Sequence, residues 1–210
     1  MTTRDTTNTD GTGDIVCRPL TPGLWPAFET VMGPNGGSGG CWCMLWRMSA
    51  KAHKAATGEG TRQAIRARVE AGPPPGLVAF RAGVPAGWIS VAPRAEFPRL
   101  GGSRVLAPVD GQPVWSVSCF LVTRPQRGQG VAGALLAAAC DFAAAQGAEI
   151  LEGYPIDPGE TRYAPSFAWT GLATLFAGAG FAEVARRSPR RPIYRKRLGP
   201  TGAVLAGSPA

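Results

Sequence analysis

Cys119-Phe-Leu-Val-Thr-Arg-Pro-Gln-Arg-Gly-Gln-Gly-Val-Ala-Gly-Ala-Leu-Leu136 reads as an apolar strand, a short basic turn, a glycine-rich corner and the start of a helix. Gly128, Gly130 and Gly133 remove side chains where that helix begins, so backbone N–H groups can converge on an anion that the helix dipole already favours. Arg127 sets a fixed positive charge at the mouth of the corner. The stretch predicts a phosphate-binding corner between a strand and a helix, and the fold depends on which phosphate compound suits it.

Gly128-Gln-Gly-Val-Ala-Gly133 also satisfies G-x-G-x-x-G after a strand and before a helix, and Glu152 stands near the place where a dinucleotide-binding fold grips a ribose. Against that reading, five residues, Thr123-Arg-Pro-Gln-Arg127, separate the strand from Gly128, whereas the dinucleotide fingerprint has its strand run almost directly into the first glycine. Beyond Gly147 the chain also holds too few strand and helix pairs to finish a doubly wound parallel sheet. A structural reading, in which the glycines serve only close helix packing, stays open beside the phosphate reading at this point.

Outward from the corner, residues 114–122 are the strand that feeds it, and residues 76–81 and 86–92, joined through Ala82-Gly-Val-Pro85, predict an antiparallel hairpin. Earlier lie a first strand over 14–20, a helix carrying Leu24, Phe28 and Val31, a glycine-rich loop over 33–40 and the aromatic segment Cys41-Trp-Cys-Met-Leu-Trp-Arg47. A helix over 61–71 follows. Downstream come an alanine-rich helix over 131–146 stopped by Gly147, a strand over 149–154, a last helix over 166–179, and a strand pair around 181–185 and 193–197. Residues 1–13 and 199–210 lack periodicity and read as disordered tails.

Arg127-x-x-Gly130-x-Ala132 resembles the coenzyme A motif of the GNAT family of N-acetyltransferases, and the order of strands and helices over about residues 14–198 is similar to that family's order. Leu175-Phe-Ala-Gly-Ala-Gly-Phe181 is similar to its last-helix ending, and Leu151-Glu152 to its fifth strand. The resemblance implies an α/β (mixed α+β) chain with the GNAT acyl-CoA N-acyltransferase fold, a central, mixed, mostly antiparallel sheet flanked by helices, in one domain over 14–198. It also implies acetyl-CoA (coenzyme A) as cofactor. The pyrophosphate would sit on N–H groups of Gly128, Gln129, Gly130, Val131, Ala132 and Gly133 beside Arg127. The pantetheine would lie along Phe120, Leu121 and Val122 as an added strand, in a splay between this strand and the one holding Leu151. The Val122 N–H is the implied donor to the thioester oxygen.

The implied chemistry is direct attack by an amine, which leaves Cys119 and Cys140 unneeded as nucleophiles and better read as buried structural thiols. Glu152 is the first candidate for the base, with Asp157 and Glu160 able to act through water; surface carboxylates or strand-end salt bridges are the competing reading of all three. Many members of the family place a tyrosine in the last helix to protonate the departing thiolate, and Phe176 stands there in this chain. Ser118, Tyr154 or Tyr163 could substitute, or the thiolate could leave unassisted, since a thiol pKa of about 8.5 makes it a tolerable leaving group. On the acceptor side, Trp42 and Trp46 could form an aromatic wall and Arg47 could pair with a carboxylate or phosphate; equally, Trp42, Leu45 and Trp46 could pack a helix on the sheet.

Composition narrows the partners. The net charge is +8, partly from the crowding of Arg186, Arg187, Arg190, Arg191, Arg195, Lys196 and Arg197, which reads as a solvated edge hairpin or as a surface for an acidic partner. No aromatic-interleaved nucleic-acid module accompanies these charges, so a small-molecule amine or a peptide is the expected acceptor, ahead of an aminoacyl-tRNA. Five cysteines in no framework, a polar start and no long apolar run predict a cytoplasmic chain with reduced thiols and no membrane contact. The Cys41-x-Cys43 spacing is too tight for a structural zinc pair, so no metal is expected. Oligomeric state stays open, a homodimer included. A coenzyme A-binding sensor that has lost its chemistry is the alternative to an enzyme.

Overall fold

The computed structural model describes residues 6–8, 15–159 and 169–199. Eight strands form one sheet in the order β1-β2-β3-β4-β5-β6-β8-β7: β1 (Thr6–Asn8), β2 (Ile15–Pro19), β3 (Gly76–Arg81), β4 (Val84–Pro93), β5 (Trp115–Val122), β6 (Ile150–Gly153), β7 (Ala182–Arg186) and β8 (Pro192–Arg197). Neighbours are antiparallel except β5 and β6, whose parallel pairing follows from the crossover through α5 (Val131–Ala145). The mixed, mostly antiparallel sheet expected from the sequence is thus present. β1 adds an edge strand within a stretch that composition alone assigned to a tail.

Helix α5 packs on one face. Leu135, Leu136, Ala139 and Ala143 are buried against Leu77, Ala79, Ile89, Val91 and Val117, which fill that side of the sheet. On the other face α1 (Trp25–Met32) and α3 (Glu59–Ala71) bury Trp25, Phe28, Ile65 and Val69 against Val78 and Trp88. Phe97, Leu100, Tyr154 and Ile193 form a third, smaller cluster beside α4 (Pro98–Gly101). α2 (Ala50–Ala56), which hydrophobic periodicity did not announce, starts where the Ser49 hydroxyl accepts the Ala52 N–H at 3.2 Å.

One segment sets aside one of its two readings, and one helix differs from expectation. Residues 41–47 form turns rather than a helix, because Trp42 (φ 45°) and Cys43 (φ 57°) occupy left-handed backbone. The last helix, α6 (Ala173–Gly178), is shorter than its predicted span: Gly171 at φ 84° is incompatible with a helix running through it, and residues 160–168 lie outside the described residues.

Three local features open the sheet at the end of β5. Ser90 pairs with Cys119 but Val91 with Val117, so Ser118 is an extra residue, a bulge that bends β5. Pairing between β5 and β6 ends at Val117↔Gly153, leaving residues 118–122 without a β6 partner. Gly87 on β4 lets α5 approach, since a Cβ there would stand 3.0 Å from both the Leu121 carbonyl and Val131 Cγ1.

Candidate functional site

The opening exposes a specific row of backbone donors. The Thr123 N–H donates to the Ala86 carbonyl at 3.0 Å, which makes Gly87 and Val122 a non-hydrogen-bonded pair and turns the Val122 N–H away from β4. Phe120 alternates with it and faces the same way. Its N–H donates to the Trp169 carbonyl at 2.6 Å, so the chain itself fills the inner end of the splay. Among the described residues, an added strand along this edge therefore has Val122, not Phe120, as its first open N–H. Leu121 turns its N–H toward β4 and sends its side chain to the opposite face from α5, against the glycine loop: a Cβ on Gly37 would lie 3.8 Å from Leu121 Cδ2.

Arg127 folds back on the same edge, its Nε donating to the Val122 carbonyl at 3.2 Å. Beyond it Gly128 (φ 74°) and Gly130 (φ 78°) take left-handed backbone that a side chain would strain, and Gly130 is the N-cap of α5 with no side-chain cap. The first backbone bond of the helix is Ala134 N–H to the Gly130 carbonyl, at 3.0 Å. The N–H groups of Val131, Ala132 and Gly133 are the orphan donors of the first turn, and Gln129 and both cap glycines are exposed. The corner predicted from the sequence exists as an uncapped helix start with a guanidinium beside it, which suits the phosphates of a coenzyme.

The residues expected to move protons lie deeper. Glu152 is fully buried, and Arg94 Nη1 (2.8 Å) and the Tyr154 hydroxyl (2.6 Å) donate to Oε1 while Arg195 Nε donates to Oε2 (2.7 Å). Arg94 also donates to the Tyr154 oxygen, and the Ser116 hydroxyl lies 2.7 Å from it. Burial, with the Glu152 charge adding to it, pushes the Tyr154 phenol up, so it keeps its proton. Ser118, at the bulge, donates to Ser90 Oγ at 3.0 Å and is buried. Asp157 is held below its usual range by the Gly159 N–H and by Arg186, 2.8 Å from its carboxylate. Glu160 and Tyr163 lie outside the described residues. Phe176 is fully buried among Phe120, Phe181 and Tyr194, its ring lying on Gly153, where a Cβ would come within 2.1 Å.

The three acceptor-side candidates do not converge. Trp42 stacks on Trp25 (centroids 6.2 Å apart) and lines an open cleft of about 1260 Å³ bounded by the glycine loop, Glu29, Glu59 and Arg62. Trp46 instead borders a separate cleft of about 520 Å³ next to Arg99 and lies 6.0 Å from Trp169. Arg47 lines neither: it is nearly buried, donates to Glu96 at 2.6 Å and to the Pro75 carbonyl at 3.0 Å, and lies over the Phe97 ring. A carboxylate for Arg47 is therefore supplied from within, by Glu96, which also holds Arg68. Sequence reading missed Glu29, Glu59 and Arg62 because the contact that assembles them is tertiary: Arg62, paired with Glu59 (3.2 Å) within α3, reaches Glu29 on α1 at 2.9 Å.

Much of the C-terminal basic cluster is spent inside the fold. Arg186 pairs with Glu183 and Asp157, Arg187 donates to the carbonyls of Ala107 and Pro108, Arg191 to Thr170, Arg195 to Glu152 and Asp110, and Lys196 to the Ala179 carbonyl. Among the described residues no helix is long and apolar enough to cross a membrane, and no group of three or more metal-ligating side chains is placed to hold an ion.

Comparison with known proteins bears on the same region. The model of the acetyltransferase (GNAT) family matches residues 42–156, from the turn at Trp42 to just beyond β6. No curated protein sequence matches the chain. Among solved structures, a GNAT-family acetyltransferase from Listeria monocytogenes 4b F2365 is similar over 92% of this chain and 100% of that one, at 14% identity and a TM-score of 0.58. The GNAT domain of S. lividans PAT covers 93% and 96% at 18% identity and 0.50, and a GNAT-family acetyltransferase from Streptococcus pneumoniae 88% and 99% at 14% and 0.50. At such identities the likeness is one of fold.

Proposed function

The chain belongs to the GNAT acetyltransferase family, and from that premise we propose that it transfers an acetyl group from acetyl-CoA to a primary amine of a small molecule or peptide, in the cytoplasm. The observation that carries the proposal is the continuous edge from the Val122 N–H through Arg127 to the uncapped first turn of α5. Coenzyme A brings an activated thioester. Gly128 to Gly133 would hold its pyrophosphate, with Arg127 beside it, and the Val122 N–H would donate to the carbonyl oxygen as negative charge develops there.

The acceptor enters, in this reading, through the cleft under Trp42, where Glu29 and Glu59 outnumber Arg62 and favour a cationic amine. Glu152, Tyr154 and Ser118 act as a buried brace that fixes β5 against β6 and β4, because their polar atoms are already engaged with one another and with Arg94, Arg195 and Ser90. The amine then loses its proton to water, and the thiolate departs without a side-chain acid, as the low pKa of a thiol permits.

A second reading, coenzyme binding without turnover, draws on the same buried network and on the apolar surroundings of Phe176. One experiment separates them. Purified protein is titrated with acetyl-CoA by calorimetry and then assayed for free thiol against a panel of amines, diamines and peptides. Saturable binding with thiol release by cationic amines is expected; binding without release by any acceptor selects the second reading, and absence of binding overturns both.

A further inference from the structure

Cys43 and Cys119 lie 76 residues apart in sequence, yet their Sγ atoms stand 3.2 Å apart and both are free thiols. The indole N–H of Trp88 donates to Cys43 Sγ at 3.2 Å, which fixes that sulfur from the sheet side. A disulfide requires about 2.05 Å between sulfurs, so closure needs an approach of roughly 1.2 Å. Cys43 directly follows the loop in which Gly33, Gly36, Gly37, Gly39 and Gly40 all have positive φ, so a bond at Cys43 ties that loop to β5.

The backbone at Cys43 points the same way. Trp42 and Cys43 are consecutive non-glycine residues in left-handed conformation, costing on the order of 1–2 kcal/mol each, and such strain persists only where the surroundings enforce it. Here the strained turn folds Trp42 onto Gly36, where a Cβ would lie 2.2 Å from the indole nitrogen, and brings Cys43 over β5. Cys119 is only partly buried as a residue and has a second thiol beside it, whereas Cys17 and Cys140 are buried singly. Hydrogen bonding to Cys43, together with burial, pushes the Cys119 thiol up, so its exchange with a disulfide is slow near neutral pH and quickens as pH rises.

We propose that Cys43 and Cys119 are a closely placed dithiol that a small-molecule disulfide oxidises to an intramolecular bond, pinning the glycine loop and its Trp42 wall to β5 beside the coenzyme edge. The exchange balances without another reactant. The Cys119 thiolate attacks one sulfur of the small disulfide and expels a small thiolate; the Cys43 thiolate then attacks Cys119 Sγ in the mixed disulfide and expels the second. The two thiol protons pass to the two small thiolates, and the protein gives up the two electrons that the small disulfide gains.

The effect on acceptor binding rests on the cleft under Trp42 being the acceptor site, while the bond itself does not. The full chain is incubated with glutathione disulfide, alkylated, digested without reductant and mapped by mass. The expected result is a chain lighter by two hydrogens, a peptide pair joined through residues 43 and 119, and the same pair in a Cys41→Ser variant. Recovery of Cys119 as a free thiol or a stable glutathione adduct, or its linkage to Cys41 instead of Cys43, overturns the proposal whatever the enzymatic activity. A bond between 43 and 119 that leaves the acceptor KM unchanged instead overturns the assignment of the acceptor cleft.

Discussion

At Gly133 the anion corner can be tested with little disturbance to the fold, because a Cβ at this position would meet nothing within 4 Å and the residue lies in regular helix. A Gly133→Glu change places negative charge among the first-turn N–H groups, while Gly133→Gln adds nearly the same bulk without it. Coenzyme A affinity should fall about tenfold further in the Glu variant than in the Gln variant, on the order of 1 kcal/mol of like-charge repulsion at the site. Calorimetry reads the difference, and equal affinities in two folded variants would remove the phosphate from this corner. Glu152 asks the opposite question. With Arg94 and Arg195 largely buried around it, Glu152→Gln leaves the Arg94 guanidinium without a carboxylate and Arg195 with Asp110 alone, and should cost about 3 kcal/mol in urea unfolding. A variant that keeps its stability but loses the acid limb of its pH–rate profile would restore Glu152 as the base.

Between elements, glycines set how closely the layers approach, and the distances rank them. A Cβ on Gly153 would lie 2.1 Å from the Phe176 ring, which is backed by Phe120 and Phe181, whereas one on Gly87 would meet its nearest atoms at 3.0 Å. Gly153→Ala should therefore lower the thermal midpoint more than Gly87→Ala, with losses of about 1–3 kcal/mol typical of overpacking and the larger for Gly153. Scanning calorimetry checks the order, and a reversed order would mean that Phe176 yields where α5 does not. The strands β2 to β6 and α5 were legible in the sequence because each buries apolar residues, and the phosphate corner because its glycines sit between two such elements. The turn at 41–47 was not, since nothing in Trp42 or Cys43 announces positive φ. The same holds for the occupied state of Arg47, whose partner Glu96 is 49 residues away, and for the filling of the splay by the Trp169 carbonyl. What the sequence hid was long-range: which polar groups had already found one another.

Over the whole molecule, two groups whose proton affinity changes strongly on folding lie in the core. Burial raises the Cys17 thiol from about 9 to about 12 and the Cys140 thiol to about 11, and both belong to the cluster between α5 and the sheet. Below about pH 9 each thiol is protonated whether the chain is folded or not, and neither contributes to pH dependence. Between about pH 9 and pH 11 the unfolded chain has released these protons while the folded chain retains them, so the unfolded state binds fewer protons and stability falls as pH rises. The two thiols together should remove a few kcal/mol across that interval, as an upper estimate at about 1.4 kcal/mol for each tenfold change in proton affinity. On the acid side Arg195 holds Asp110 down to about 2, so its contribution is present above about pH 4 and is lost only as pH falls toward 2. Urea unfolding at pH 7, 9 and 10.5 under reducing conditions should show a plateau followed by a decline, and Cys17→Ala combined with Cys140→Ala should lower the plateau but flatten the decline. An equally steep decline in the double variant would assign the alkaline loss to the other groups that burial and their neighbours hold protonated, Cys41, Cys119 and Tyr154, rather than to these two thiols.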